Sequence, residues 1–271
     1  MKKGIFCILL SMLLLSGCAS PEAETQPETT PAAPSTQVTT VPVETTQIPT
    51  TAPATEAPTQ ETQPAAELHS GIRSDGTFNE GTLFIGDSLT YGLVQHYLIY
   101  NDLIGDARYM ARVGLPLSGF FNHDSLMEPN RGALYSKEFY GKTFSKAVAQ
   151  VGEEITAVYL MLGTNYDTTS NENGYIETVE HLLEHCPNAT IYVQLIPYSE
   201  QPSVHVEQVN FGILVAVDSF QAQGIQRVQC IDTLSAIGIS QREDGIHLNN
   251  EGNQLWYEAI LDYAEEHNIP E

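Results

Sequence analysis

Two hydrophobic regimes divide this 271-residue chain. From about Leu68 onward, short apolar runs alternate with stretches of helical spacing. The apolar runs lie at 82–85, 108–113, 155–162, 190–196 and 227–231. Each reads as a strand, with 108–113 a candidate only, and ITAVYLML at 155–162 is the clearest buried one, being continuous and rich in β-formers. Helical spacing covers 88–103, 175–185, 204–222 and 250–266. In 204–222 the apolar face is Val206, Val209, Ile213, Val217 and Phe220. In 250–266 it is Leu255, Ala259 and Tyr263, with Trp256 and Ile260 beside them. Residues 116–150 read as irregular, with helical pieces near 137–150. Strands alternating with helices predict an α/β fold with a central parallel sheet of about five strands and helices on both faces. In such sheets ligands sit outside the carboxyl ends of the strands.

The first 67 residues fit neither pattern. Met1-Lys2-Lys3 is a basic start, and residues 5–15 form an apolar core too short for an ordinary membrane span, so the segment reads as a secretory signal. Its end, Leu15-Ser16-Gly17-Cys18, resembles the lipobox of bacterial lipoproteins. That resemblance implies lipidation at Cys18 and a protein on the bacterial cell surface, held to the membrane by acyl chains and facing the exterior. Residues 19–67 hold nine of the fifteen prolines and no Lys, Arg, Phe, Trp or Tyr. Such a composition cannot offset the entropy of ordering, so it reads as a disordered Thr/Pro-rich linker. A flexible coil of that length reaches about 40 Å and a polyproline-like one about 150 Å. The expected organisation is therefore a signal at 1–18, a linker at 19–67 and one domain at 68–271.

Charge narrows the partners. Seven of the 34 acidic residues lie in the linker and two of the eleven basic ones in the signal, which leaves 27 against 9 and a domain charge near −18 with neutral His. Nucleic acid and polyanionic polymers are disfavoured. Neutral or cationic substrates fit better, and a solvated acidic surface is the plainer account of the charge. Outside the signal and the anchor, Cys186 and Cys230 remain, and both are expected free and buried. No cysteine–histidine cluster has metal-ligand spacing, and neither a metal nor a cofactor is expected.

The residues just past each strand carry the chemistry. Gly86-Asp87-Ser88 comes after the first, Gly114 after the second, Gly163-Thr164-Asn165 after the third, and REDGIHLNNEG, with Asp244 and His247, precedes the last helix. All should share one rim of the sheet. A serine before a helix is usually a cap. As a nucleophile, Ser88 would need a base within hydrogen-bond reach. His247 is the candidate base, and Asp244 can hold the other ring nitrogen. The N–H groups of Ser88 and Gly114 and the amide of Asn165 are candidate oxyanion donors, with Gly119 the rival to Gly114. Tyr166 and Tyr198 come after the third and fourth strands, where they suit either a sugar ring or plain packing. His96 reads as structural.

These blocks resemble the SGNH hydrolases, the GDSL esterase and lipase family. Gly86-Asp87-Ser88-Leu89, Gly114, Gly163-Thr164-Asn165 and Asp244-Gly245-Ile246-His247 stand in the family's chain order, over about residues 80–265. Tyr166 replaces the usual aspartate of the third block. The resemblance implies a flavodoxin-like three-layer α/β/α sandwich and ester hydrolysis through an acyl-serine, without metal. The expected activity is hydrolysis of small acyl esters, acetyl above all, on carbohydrate or cell-wall glycan, by a monomer. An O-acyltransferase using the same triad and a non-catalytic glycan-binding lipoprotein are the alternatives.

Overall fold

The computed structural model describes residues 67–122 and 132–271. The signal, Cys18 and all of the linker but Glu67 lie outside the described residues. Six strands form one sheet: β1 (Thr82–Gly86), β2 (Arg108–Arg112), β3 (Ala133–Tyr135), β4 (Ala157–Met161), β5 (Thr190–Gln194) and β6 (Val228–Ile231). Their spatial order is β3-β2-β1-β4-β5-β6. All pairs are parallel except β2–β3. Helices α2 (Phe144–Val151), α3 (Glu172–His185) and α4 (Val206–Ala222) pack together on one face. On the other, α1 (Ser88–Gly92), with the π-helical turn Leu93–Leu98 that continues it, packs on α6 (Asn250–Glu266). A short α5 (Thr233–Ala236) comes after β6. The result is a three-layer α/β/α sandwich.

The five strands expected from the apolar runs are present, because a run buried on both faces has few alternatives to a central parallel strand. The sheet is nevertheless mixed. Strand β3 lies in the stretch read as irregular; three half-buried residues at a sheet edge leave no periodic signal. The helix expected over 88–103 is shorter: it widens into the π turn after Gly92, and Asp102 at φ 58 is already in a turn. Of the two free cysteines, Cys186 is buried but Cys230 only partly so, because β6 is an edge strand. Burial pushes both thiols up to about 12, so neither is a ready nucleophile.

An aromatic row runs through the core. The register pairs Phe84 with Tyr159 and Tyr159 with Tyr192, and their rings stack at 5.1 and 4.9 Å across β1, β4 and β5. The Tyr159 and Tyr192 hydroxyls donate to the carbonyls of Ser70 and His69, which ties the start of the described chain to the sheet. Trp256 of α6 is fully buried and its Nε1–H donates to Gln194 Oε1 at 2.7 Å, so its one polar atom is satisfied.

This topology creates the site. The chain leaves β1 for β2 on one side, then crosses to β4 on the other. The carboxyl ends of β1 and β4 therefore flank a topological switch point, where such sheets open a crevice. Gly86 allows the close approach there: a Cβ would lie 1.9 Å from Thr90 Oγ1 and 2.5 Å from the Met161 carbonyl.

Candidate active site

Residue 87, rather than 88, caps the first helix. Asp87 is the N-cap, and its Oδ1 accepts from Leu89 N–H at 3.0 Å. Its Oδ2 accepts from Thr164 N–H at 3.2 Å, which joins the end of β1 to the loop after β4. The group is fully buried, and burial pushes its pKa up to about 6 against these two donors. Ser88 is thereby released from capping, and 9% of it remains exposed.

Ser88 Oγ lies 3.0 Å from His247 Nε2, and His247 Nδ1 lies 2.7 Å from Asp244 Oδ2. The three residues come from two loops 159 positions apart in sequence. The second loop is built tightly. Asp244 Oδ1 accepts from the N–H groups of Ile246 and His247, Glu243 N–H donates to the His247 carbonyl, and Arg242 Nη1 donates to the Ile246 carbonyl. From the loop after β5, Ser199 Oγ and Glu200 N–H donate to the Gly245 carbonyl. The hydrogen bond from the His247 ring holds the Asp244 carboxyl down at about 2, so it stays ionised at neutral pH.

The oxyanion candidates Gly114 and Asn165 share a cleft of about 540 Å³ with Ser88 and His247, and Thr164 also lines it. Asn165 Nδ2 donates to the Leu115 carbonyl at 3.2 Å, which uses one amide hydrogen and leaves the other. Gly114 sits at φ +75, a region that glycine enters without strain. The rival, Gly119, already donates its N–H to the Pro116 carbonyl at 3.0 Å. Gly114→Ala should cost about 1–2 kcal/mol of stability and lower kcat for ester hydrolysis about tenfold or more. Gly119→Ala should spare the ratio of kcat to folded fraction. Denaturation midpoints and steady-state rates check both.

An aspartate one place later does the bonding in the third block. Asp167 Oδ2 accepts from Ser118 Oγ at 2.5 Å, and Oδ1 accepts from Thr169 N–H and Oγ1. Burial pulls its pKa up, but these donors and Ser170 outweigh it and hold the carboxyl below the ordinary range. Tyr166 instead lies against His205, with ring centroids 4.1 Å apart and planes tilted by 34°, and accepts from Gln208 Nε2 while lining the Ser88 cleft. Tyr198 lies in a separate groove beside Phe211, so only the first of the two tyrosines reaches the site. His96 is exposed on the rim of a second cleft that also opens at Ser88.

Sequence reasoning missed three contributors. Asp87 was hidden because buried capping and exposed capping look alike in a sequence, though its place directly after a strand was a usable signal. Arg242 carried no signal, since its role is to bond a carbonyl four residues on. Asp167 was masked by the one-residue offset from the expected block.

No protein-family model and no curated protein matches the sequence. Solved structures do match. The chain is similar to a GDSL-like lipase from Bacteroides thetaiotaomicron, at 11% identity over 69% of this chain and 88% of that one, with a TM-score of 0.44. It is similar to a carbohydrate esterase family 3 structure from Talaromyces cellulolyticus, at 20% identity over 69% and 96%, with a TM-score of 0.42. It is also similar to the C-terminal catalytic domain of peptidoglycan O-acetyltransferase A from Streptococcus pneumoniae, at 11% identity over 69% and 94%, with a TM-score of 0.45. At these identities and TM-scores the likeness carries no argument about the reaction, which has to be argued from this chain's own residues.

Proposed function

We propose that this protein is a serine esterase that removes small acyl groups, acetyl above all, from carbohydrate through an acyl-serine. The observation that carries the reading is the line Ser88 Oγ, His247 Nε2, His247 Nδ1, Asp244 Oδ2, with spacings of 3.0 and 2.7 Å at its two hydrogen bonds. In this reading His247 Nε2 takes the Ser88 proton as Oγ attacks the ester carbonyl. The Ser88 and Gly114 N–H groups and the free Asn165 amide hydrogen receive the oxyanion. His247 then returns the proton to the leaving alcohol. Water, deprotonated by the same nitrogen, hydrolyses the acyl-serine. Asp244 keeps the ring in the tautomer that accepts at Nε2 and stabilises the imidazolium.

Nothing cationic is needed by a neutral ester, which agrees with the domain's acidic charge. We further propose that Cys18 carries the lipid, that the linker holds the domain off the membrane, and that the substrate is an exterior glycan. The same residues would pass an acyl group to a sugar hydroxyl in place of water, and product analysis with an added sugar acceptor separates the two.

The test uses the full-length protein with p-nitrophenyl acetate and butyrate, and a sulfonyl fluoride as a covalent probe. Acetate should be cleaved faster than butyrate. The sulfonyl fluoride should abolish turnover and add one sulfonyl group to the Ser88 peptide, read by mass spectrometry. A folded protein that is inert to both esters, unlabelled at Ser88, and yet binds oligosaccharide would replace this reading with the binding-module one.

A further inference from the structure

Among the described residues two clefts open at Ser88, and they differ in their lining. The oxyanion candidates Gly114 and Asn165 line only the smaller one, of about 540 Å³. The other, of about 800 Å³, runs along the α1 side and shares Ser88, Val113 and His247 with it. Its wall carries Tyr91, His96 and Tyr100. Tyr91 and His96 sit 5.9 Å apart, centroid to centroid, and Tyr100 is 81% exposed. A single exposed aromatic is ordinary. Three along one wall, beside a nucleophile already paired with its base, are not accounted for by packing.

The floor of this cleft is polar. Asn253 is 2% exposed, and its Nδ2 donates to the carbonyls of Leu248 and Asn249, which orients the amide. Its Oδ1 has no donor among the described residues. A buried acceptor left unpaired is unfavourable, and a bound hydroxyl donor would relieve it. Gly92 lines the cleft above it, and a Cβ there would meet nothing nearer than Asn253 Oδ1 at 3.8 Å. The cleft is open where a side chain would otherwise stand. Among the described residues its charged lining is Glu243 and Asp244, with no Lys or Arg.

We propose that this cleft is the subsite for the alcohol half of the ester, and that it takes a neutral pyranose ring of a glycan. This rests on the esterase reading for its orientation: with the carbonyl oxygen among the donors of the smaller cleft, the sugar side of the ester falls in the larger one. A pyranose has an apolar C–H face and a hydroxyl rim. The face suits the aromatic wall, with Tyr100 as its outer plate. The rim suits a floor with an unpaired acceptor. The carboxylates of Glu243 and Asp244 disfavour phosphorylated or uronic alcohols.

The experiment compares kcat/KM for an O-acetylated xylo-oligosaccharide with kcat/KM for p-nitrophenyl acetate, using the full-length protein. Tyr100→Ala and Gly92→Ala should each lower the ratio of the two about tenfold, mainly through a higher KM for the oligosaccharide. Gly92 has helical φ and ψ of −59° and −51°, so alanine is favoured by the backbone and a folding defect is not expected. In parallel, calorimetric titration of Ser88→Ala with unacetylated xylo-, cello- and chito-oligosaccharides should show binding to at least one, lost when Tyr100→Ala is added. A ratio unchanged within twofold in both variants overturns the subsite, and so does binding that survives Tyr100→Ala or is absent for every oligosaccharide. A parent inert to p-nitrophenyl acetate overturns the esterase reading instead, and the titration still reports on the cleft.

Discussion

Ser88→Ala, His247→Ala and the double variant lower kcat for acetate-ester hydrolysis by nearly the same factor, on the order of 10⁴ to 10⁶. The reason is that serine and histidine act as one device. Without the base the hydroxyl is a poor nucleophile, and without the hydroxyl the base has no proton to take. The 3.0 Å contact between Ser88 Oγ and His247 Nε2 is the shared element, and either substitution removes it. Additive losses would mean that the two residues act separately. Asp244→Asn leaves a side chain of the same shape but offers an amide donor where a carboxylate accepted, so His247 turns to the wrong tautomer. The expected loss is on the order of 10⁴. Because Asp244 titrates at about 2, it does not protonate across the working range, and the acid limb of the rate profile is not set by this carboxyl. Single-turnover and steady-state rates on folded variants, checked by circular dichroism, measure all four.

Asp87→Ala should cost about 2–4 kcal/mol of stability, the sum of a lost helix N-cap and a buried backbone donor left without an acceptor. The orphaned donor is Thr164 N–H, next to Asn165, so the substitution also loosens the oxyanion rim from β1. A kcat loss beyond the unfolded fraction is expected. Urea unfolding monitored by Trp256 fluorescence reads the first effect and rates below the transition read the second. A loss of stability under about 0.5 kcal/mol would show that neither bond matters.

The titration of Asp87 also gives stability a pH slope. Its folded pKa of about 6 lies above the ordinary 3.8, so the folded state holds the proton more tightly than the unfolded chain. That contribution is fully present below the ordinary value and is lost as pH rises through about 6. Asp244 has the opposite sign: its stabilisation is present above 3.8 and is lost as pH falls through about 2. Comparing urea midpoints between pH 4 and 7, the parent should weaken relative to Asp87→Asn as pH rises; parallel curves would remove Asp87 as the source.

Much of the architecture is legible without coordinates because central parallel strands must be apolar on both faces. That requirement writes 155–162 and 190–196 into the chain as continuous runs, and α6 is delimited at Asn250 and Glu266 by its periodicity and by the Asn249 cap. Edge features obey weaker rules. Strand β3 is short and half-buried, and Cys230 sits on the strand with one open side, so neither leaves a pattern.

For the site, local sequence sets what each loop contains. The Gly86-Asp87-Ser88 turn, the Asn165 amide and the Asp244–His247 spacing are contiguous strings, and an aspartate three residues before a histidine can reach its ring through a single turn. Which of these roles each residue takes is decided elsewhere. Asp87 caps the helix with one carboxylate oxygen and holds Thr164, arriving after β4, with the other, and Gly114 lines the cleft whereas Gly119 spends its N–H in a turn. The two clefts that open at Ser88, one carrying Tyr91, His96 and Tyr100 and the other Gly114 and Asn165, exist only once the chain has crossed from β2 to β4. A one-dimensional pattern can carry burial, periodicity and turn chemistry, since these depend on near neighbours. Hydrogen bonds and walls made by residues 77 or 159 positions apart depend on the crossing itself, and only the folded chain decides them.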